Sequence, residues 1–479
     1  MARTTIRTED ITAGAITSAK IASGAVDTTG LQDDIALLAF KTQANGSLAR
    51  YNLVDQSIDA FEDASGIDAS ASTNEFRNDA GNYYSGSSTS TDTASNHTTP
   101  GSDTWVTPSD LTGTAKILVV AGGGGSGTRG NGNGGGGAGG LVYVSNFAAV
   151  ASTTYNLTIG AGAASVVASG SDATDGADSV FDVSDTTQIL TASGGSGGAT
   201  SRADANDGGS GGGGANTAYA AGTQGASDQV TTFGSYSGVG FGYSGGTSTS
   251  GWGNVGAGGG GAGGAGSNSV STTVGGAGGV GKDYSSIFGT GVGASGWFAG
   301  GGGGGGHPAG GGAGGTGGGG AGGGGDAGTP AAGTDGTANT GGGAGGGSAD
   351  SDPSAAGGSG AIHILYDTLS YADMTLVSNA QTAESVPTKG DVVMTYSNGA
   401  GTATLNTDIK AYVSRDSGSN YTQATLVSQG TTGGHEIVTT HGLDISSQPS
   451  GTAMRFKITT HNQSASIDTR IHAVSLGWS

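Results

Sequence analysis

His435 and His441 flank the string EIVTT, six positions apart. A zinc site on one helix needs its two histidines four apart, so that both imidazoles leave the same face. A spacing of six in alternating, strand-like sequence does not supply that. The string GAGGVGK at 276–282 offers the glycines and lysine of a phosphate-binding loop, but Asp283 stands where a serine or threonine would ligate magnesium. The GxSxG strings around Ser196 and Ser210 follow from a glycine-serine composition and do not indicate a hydrolase. Acidic runs such as SDATDGAD and SADSDP lack the ordered ligand spacing of a calcium loop and read as solvated turns. His363 or His472 could surround an axial ion only if three chains each contributed one. Paired carboxylates for glycoside hydrolysis need only meet in space, but Asp and Glu here fall mostly in turn-like sequence. We therefore expect a non-enzyme with no catalytic residues, metal or cofactor.

Chemistry of recognition is better represented. Two insertions, AYAAGTQGASDQVTTFGSYSGVGFGYSGGTSTSGWGN and KDYSSIFGTGVGASGWFAG, carry Tyr219, Phe233, Tyr236, Phe241, Tyr243, Trp252, Tyr284, Phe288, Trp297 and Phe298. Aromatic rings give large contact area at low entropic cost, and they stack on sugar faces or fill protein pockets. These ten are the receptor-binding candidates. The competing reading is that they cap the glycine segments or pack between subunits.

What would position such rings is a stretch with almost no side chains. Residues 300–325 contain 20 glycines among 26 positions, and the chain of 479 residues holds 105. Ordering one backbone residue costs about 1–2 kcal/mol, and glycine lies at the costly end. Collagen is excluded, because it needs glycine at every third position with abundant proline, and here glycines run four to seven together. A flexible linker would be far longer than linkers are and would not need aromatic punctuation. The remaining solution is a bundle of glycine helices of the polyproline II type, with 3 residues per turn and about 3.1 Å rise. Their N–H and C=O groups would pair between helices, with weak Cα–H···O contacts adding to the lattice. Short strand-like runs bracket the region: AKILVVAGGGG, GLVYVSN, TTYNLTIGAG, DSVFDV and TQILTASGG before it, and GSGAIHILYD at its end.

Formal charge is −21, with only 16 Lys and Arg, so no basic footprint for nucleic acid or anionic lipid exists. Zero cysteines exclude disulfides and thiolate sites. No run has the length of a membrane span or of a secretory signal core, so neither membrane insertion nor signal-directed export is expected.

Ile6, Ile11, Ile16, Ile21, Val26 and Leu31 fall at a strict interval of five, which fits neither helix nor strand. One copy would bury almost nothing, so several chains should wrap a common axis. The chain thus divides into a five-residue-repeat attachment segment (1–30), a short helical segment interrupted at Asn45 and Gly46 (31–66), and a Ser/Thr/Asp-rich spacer (67–113). A glycine-rich domain of polyglycine II helices bracketed by strands (114–367) and a carboxy-terminal β-sandwich of about seven strands (368–479) follow. The fold class is mostly β with a polyglycine II bundle.

The strings KILVVAGGGGSG, GGGGAGGLVYVSN, YNLTIGAGA, ILTASGGSGG and GGSGAIHILY resemble the glycine-rich domain of bacteriophage tail-fibre proteins and tip adhesins. ITAGAITSAKIASGAV and IDAFEDASGID resemble virion-attachment segments of marine phage fibres, and YVSRDSGSNYTQATLVSQG and HNQSASIDTRIHAVSLGWS their terminal modules. The resemblance implies a homotrimeric virion subunit. Its amino terminus would join other tail or baseplate proteins, and its loops would bind a bacterial surface glycan or outer-membrane protein. The alternative is a structural subunit of an extracellular filament or surface layer; a polysaccharide-cleaving fibre ranks third.

Overall fold

A computed structural model describes residues 28–479 except 128–131, 167–171, 183–188, 201–203, 217–221, 249–253, 270–272, 309, 326–330 and 349–353. Mostly strand, the chain forms two compact units. One joins Met1–Ser90 with Leu369–Ser479; the other, Thr91–Thr368, is inserted between those two pieces in chain order.

In the first unit the helix Thr28–Arg50 is continuous. The expected interruption at Asn45 and Gly46 does not occur. A mid-helix glycine costs only about 1 kcal/mol, and burial of Phe40 and Ala44 against Val393, Ile437 and Ala473 outweighs it. An antiparallel sheet runs in the order Glu75–Asn78, Tyr83–Gly86, Asp468–Trp478, Lys389–Ala400, His435–Asp444, Val427–Thr432, and Asp55–Asp59 also pairs with Asp468–Trp478. A second sheet has the order Thr375–Val377, Ala453–Thr460, Ile409–Ser414, Thr422–Ala424. Strict alternation along Ala453–Thr460 aims Met454, Phe456 and Ile458 into a core shared with Val392, Met394, Val413 and Leu476. Phe61, Ile67 and Tyr84 belong to the same core. Residues read as helical segment and spacer therefore complete the carboxy-terminal sheets, because strand pairing is blind to a sequence separation of some 400 residues.

In the second unit Leu111–Val120 pairs with Ala361–Tyr371, so the two ends of the glycine-rich stretch meet. They lie in a sheet ordered Gly240–Phe241, Leu141–Phe147, Leu111–Val120, Ala361–Tyr371, Ser88–His97. One face shares a core with the sheet Leu190–Ala192, Ser179–Phe181, Thr154–Ile159, Gly101–Val106, through Ile117, Val119, Ile362, Trp105, Leu157 and Phe181. The spacer expected over 67–113 is thus largely strand here too.

Beyond these sheets the glycine segments are held by backbone hydrogen bonds with a period of three. Within residues 133–140, the N–H groups of Gly134, Gly137 and Gly140 donate to the carbonyls of Ala199, Ser196 and Ser193. Gly135 and Ala138 donate to Ala257 and Gly260, while Asn133, Gly136 and Gly139 donate to Gly347, Ala344 and Gly341. The carbonyls of the same stretch accept from three further segments, through Gly302 and Gly305, Ala121 and Gly124, and Ser210 and Gly213. Every third residue faces the same neighbour, and all eight N–H groups of the stretch are paired, as burial of bare backbone demands. A Cβ on Gly302 would strike the Ala344 carbonyl oxygen, and one on Gly136 that of Gly124. Glycine is required here for close approach of main chains.

The acidic run read as a solvated turn instead serves this lattice. Asp178 and Asp175 accept from the N–H groups of Gly194 and Gly197, both at 2.7 Å, and Asp172 accepts from the Thr200 hydroxyl at 3.0 Å. The same three-residue step continues, with a carboxylate in place of a carbonyl. Replacing Asp175 with alanine is expected to lower the unfolding free energy of this unit by about 1–3 kcal/mol, the cost of an orphaned donor, measured by denaturant titration.

Candidate functional site

Eight of the ten aromatic candidates lie within the described residues, at the end of the glycine segments where the sheets stand. Tyr284 and Phe298 are buried with Leu118, Val120 and Leu141 beneath the five-stranded sheet, on the face away from its other core. Phe241 and Phe288 pack against that cluster half-buried. Tyr143 meets Tyr284 with ring centroids 4.9 Å apart, and burial pushes both hydroxyls up from their ordinary pKa. Phe233 is buried in the core between the two sheets, and Tyr236 stacks on Phe147 there. Phe233, Tyr284 and Phe298 are thus closed to a receptor; Tyr284 and Phe298 join the five-stranded sheet to the glycine lattice, which without side chains offers no other apolar anchor.

The accessible members are Tyr243, 46% exposed, and the half-buried Trp297, Phe241, Phe288 and Tyr236. Trp297 sits on a two-residue strand paired with Lys282 and Asp283, and the Lys282 ammonium lies 3.7 Å from the Phe241 ring centroid. Burial holds the Lys282 pKa below its ordinary value, and the ring face supplies a cation–π contact. Tyr219 and Trp252 lie outside the described residues, as do Ile6, Ile11, Ile16, Ile21 and Val26; Leu31 falls within the helix Thr28–Arg50.

The apparent phosphate loop has most of its glycine donors committed to the lattice. The N–H groups of Gly276, Gly278, Gly279 and Gly281 bond to Gly256, Ala313, Gly259 and Thr316. Ser196 and Ser210 are fully buried lattice residues.

Among the histidines, His363 packs against Phe288 and Phe298 with its Nδ1 2.7 Å from Oδ1, the side-chain amide carbonyl oxygen, of Asn96. A carbonyl only accepts, so Nδ1 carries the proton. Burial, with His97 nearby, lowers its pKa from 6.5 to about 4. Between those values the unfolded chain binds the extra proton, so the stability is whole above pH 6.5 and is lost as pH falls toward 4. His363→Gln is expected to flatten the decline of this unit's melting temperature across that window, read by calorimetry at stepped pH.

His441 pairs with the buried Asp391 at 2.5 Å and stacks on Tyr51, while His435 pairs with Asp33 at 2.9 Å. They face different partners, and among the described residues no three metal-binding side chains converge.

One arrangement escaped sequence reasoning. Ser95 Oγ lies 3.0 Å from His97 Nε2, and His97 Nδ1 lies 2.7 Å from Asp103. The histidine hydrogen bond holds the Asp103 pKa below the ordinary carboxylate value. This has the connectivity of a nucleophile, base and orienting acid, and it also ties the edge strand Ser88–His97 to Gly101–Val106. The signal available was SNHTTPGSD, in which alternation places Ser95 and His97 on one strand face.

Residues 93–367 match the model of the glycine-rich domain family. The chain belongs to that family. The match covers the inserted unit from its edge strand to its closing strand, so family membership and the hydrogen-bonded lattice coincide in extent. No curated protein matches the chain.

Proposed function

We propose that this glycine-rich domain protein is an attachment subunit of the bacteriophage tail-fibre kind, which binds a bacterial surface glycan or outer-membrane protein and does no covalent chemistry. The observation that carries this reading is the three-residue hydrogen-bond period. A glycine lattice with that period is a polyglycine II bundle, stiff without a hydrophobic core and able to hold loops at fixed positions. The first unit, with two sheets around one core, is read as a β-sandwich that the amino-terminal residues help to complete. Trimerisation through Ile6, Ile11, Ile16, Ile21, Val26 and Leu31, with attachment to the virion at that end, would multiply weak single contacts. Tyr243 and Trp297 are the described side chains best placed to meet a receptor.

Fluorescently labelled protein is expected to bind saturably to a susceptible bacterium and to compete with virion adsorption, and Tyr243→Ala with Trp297→Ala to weaken both. Binding to no bacterium tested, together with polymerisation into filaments, would favour the structural alternative. Labelling of Ser95 by a serine-reactive fluorophosphonate, or release of reducing ends from host polysaccharide, would overturn the non-enzymatic part.

A further inference from the structure

The first unit contains a cavity of about 320 Å³ whose lining includes Asp33 and Asp34 on the helix, Glu62, and Thr395, His435 and His472 on the sheet. Three features set it apart from an ordinary surface cleft.

The first is how His472 reaches it. The register between Lys389–Ala400 and Asp468–Trp478 slips where Thr395 pairs with Ala473 but Tyr396 pairs with Ile471. His472 is the extra residue of that bulge, and bulges re-aim side chains beside sites. Its Nε2 lies 2.7 Å from Ser397 Oγ, and His435 packs on it with centroids 3.9 Å apart. Burial, with His435 and Arg470 nearby, depresses its pKa to about 3, so the ring is neutral at physiological pH.

The second is charge. His435 engages Asp33, while the side chains of Asp34 and Glu62, at the exposed rim, make no ion pair among the described residues. No lysine or arginine lines the cavity among those residues. The third is Thr395, a lining residue 1% exposed, whose hydroxyl has no hydrogen-bond partner among the described residues. A buried hydroxyl left unpaired costs free energy that a ligand with a polar group would return.

We propose that this cavity binds a compact organic ammonium ion that also carries hydroxyl groups, the chemistry of an unacetylated amino sugar. The ammonium faces the Asp34 and Glu62 rim, a ligand hydroxyl pairs with Thr395 Oγ1, and the two packed imidazoles form the wall. An anion is repelled by the carboxylates, a neutral sugar leaves them uncompensated, and a bare metal ion finds no three converging ligands among the described residues. The inference is independent of the attachment reading, since it concerns a different unit and asks only for binding.

Calorimetric titration of the full chain at pH 7 with glucosamine tests it, with glucose, N-acetylglucosamine and calcium chloride as comparisons. Glucosamine is expected to bind saturably and more tightly than either neutral sugar. Asp34→Asn and Glu62→Gln should each weaken it about two- to five-fold, as for rim-exposed ion pairs, and the double substitution by about ten-fold. Thr395→Val should weaken glucosamine without restoring affinity for glucose. No binding, equal affinity for ammonium and neutral sugars, insensitivity to both carboxylate substitutions, or calcium binding in place of glucosamine would each overturn the proposal. Should the variants fail to fold, the ammonium-to-neutral affinity ratio of the unaltered protein decides alone.

Discussion

Gly302→Ala is expected to unfold the inserted unit, or to lower its stability by about 4 kcal/mol or more, the range reached only by severe overpacking and broken networks. The new methyl would meet the Ala344 carbonyl oxygen. That neighbour is main chain, so no rotamer change relieves the contact. Shifting the segment disturbs the bond from Gly302 N–H to Gly136, 2.9 Å, and the one that Gly302 C=O accepts from Gly259, 2.8 Å. Adjacent residues bind other segments, so displacement at one point strains several interfaces together. Gly310→Ala is the matched control: nothing lies within 4 Å of a Cβ there, and the substitution should be neutral or stabilise by about 0.4–1 kcal/mol through the unfolded chain. Calorimetry and limited proteolysis of the two variants read the difference. Equal stabilities would show that close main-chain approach is not what orders the glycine segments.

The second large effect is expected in the other unit. Arg415 is buried, and its guanidinium donates to the carbonyls of Pro387 at 2.7 Å, Ser446 at 2.8 Å and Pro449 at 3.2 Å, and to that of Gln448. Gln448 returns the connection: its side-chain oxygen accepts from Arg415 N–H, and its amide donates to Val413 C=O and Thr422 Oγ1. This latch fastens two irregular segments to the strand Ile409–Ser414 without any carboxylate. Arg415→Ala would orphan several buried carbonyls and cost about 3–5 kcal/mol. Arg415→Lys should recover little, because a single ammonium cannot reproduce the planar fork. Hydrogen exchange is the discriminating measurement: amides of Ile409–Ser414 should lose protection while those of 299–306 keep theirs. Uniform loss in both would point to a general defect in place of a local latch.

Much of the inserted unit was legible from residue types. Glycine runs bounded by β-branched strands announced main-chain packing, and alanines inside the runs mark positions where a methyl is wanted. Ala138, for example, joins the buried cluster of Leu118, Val120 and Leu141. The role of Asp172, Asp175 and Asp178 was encoded in their spacing of three, which matches the lattice step, but it is invisible until that step is known. Aromatic residues were the least legible. Phe298 and Tyr243 have similar sequence surroundings, yet one is fully buried and the other 46% exposed, because burial depends on which face of a distant sheet the ring meets.

From sequence alone came the mostly β character, the absence of a basic or thiol-based chemistry, and the need for backbone pairing in a stretch without side chains. These follow from composition and local pattern, which act over a few residues. Tertiary structure alone decided that Asp55–Asp59 and Tyr83–Gly86 complete the sheet ending at Trp478, that the glycine-rich unit interrupts that sheet's chain, and that a bulge turns His472 toward Asp33 and Thr395. Strand pairing uses N–H and C=O groups that every residue except proline carries in full, so nothing in the identity of two segments names them as partners. Only the simultaneous burial of both faces selects the pairing.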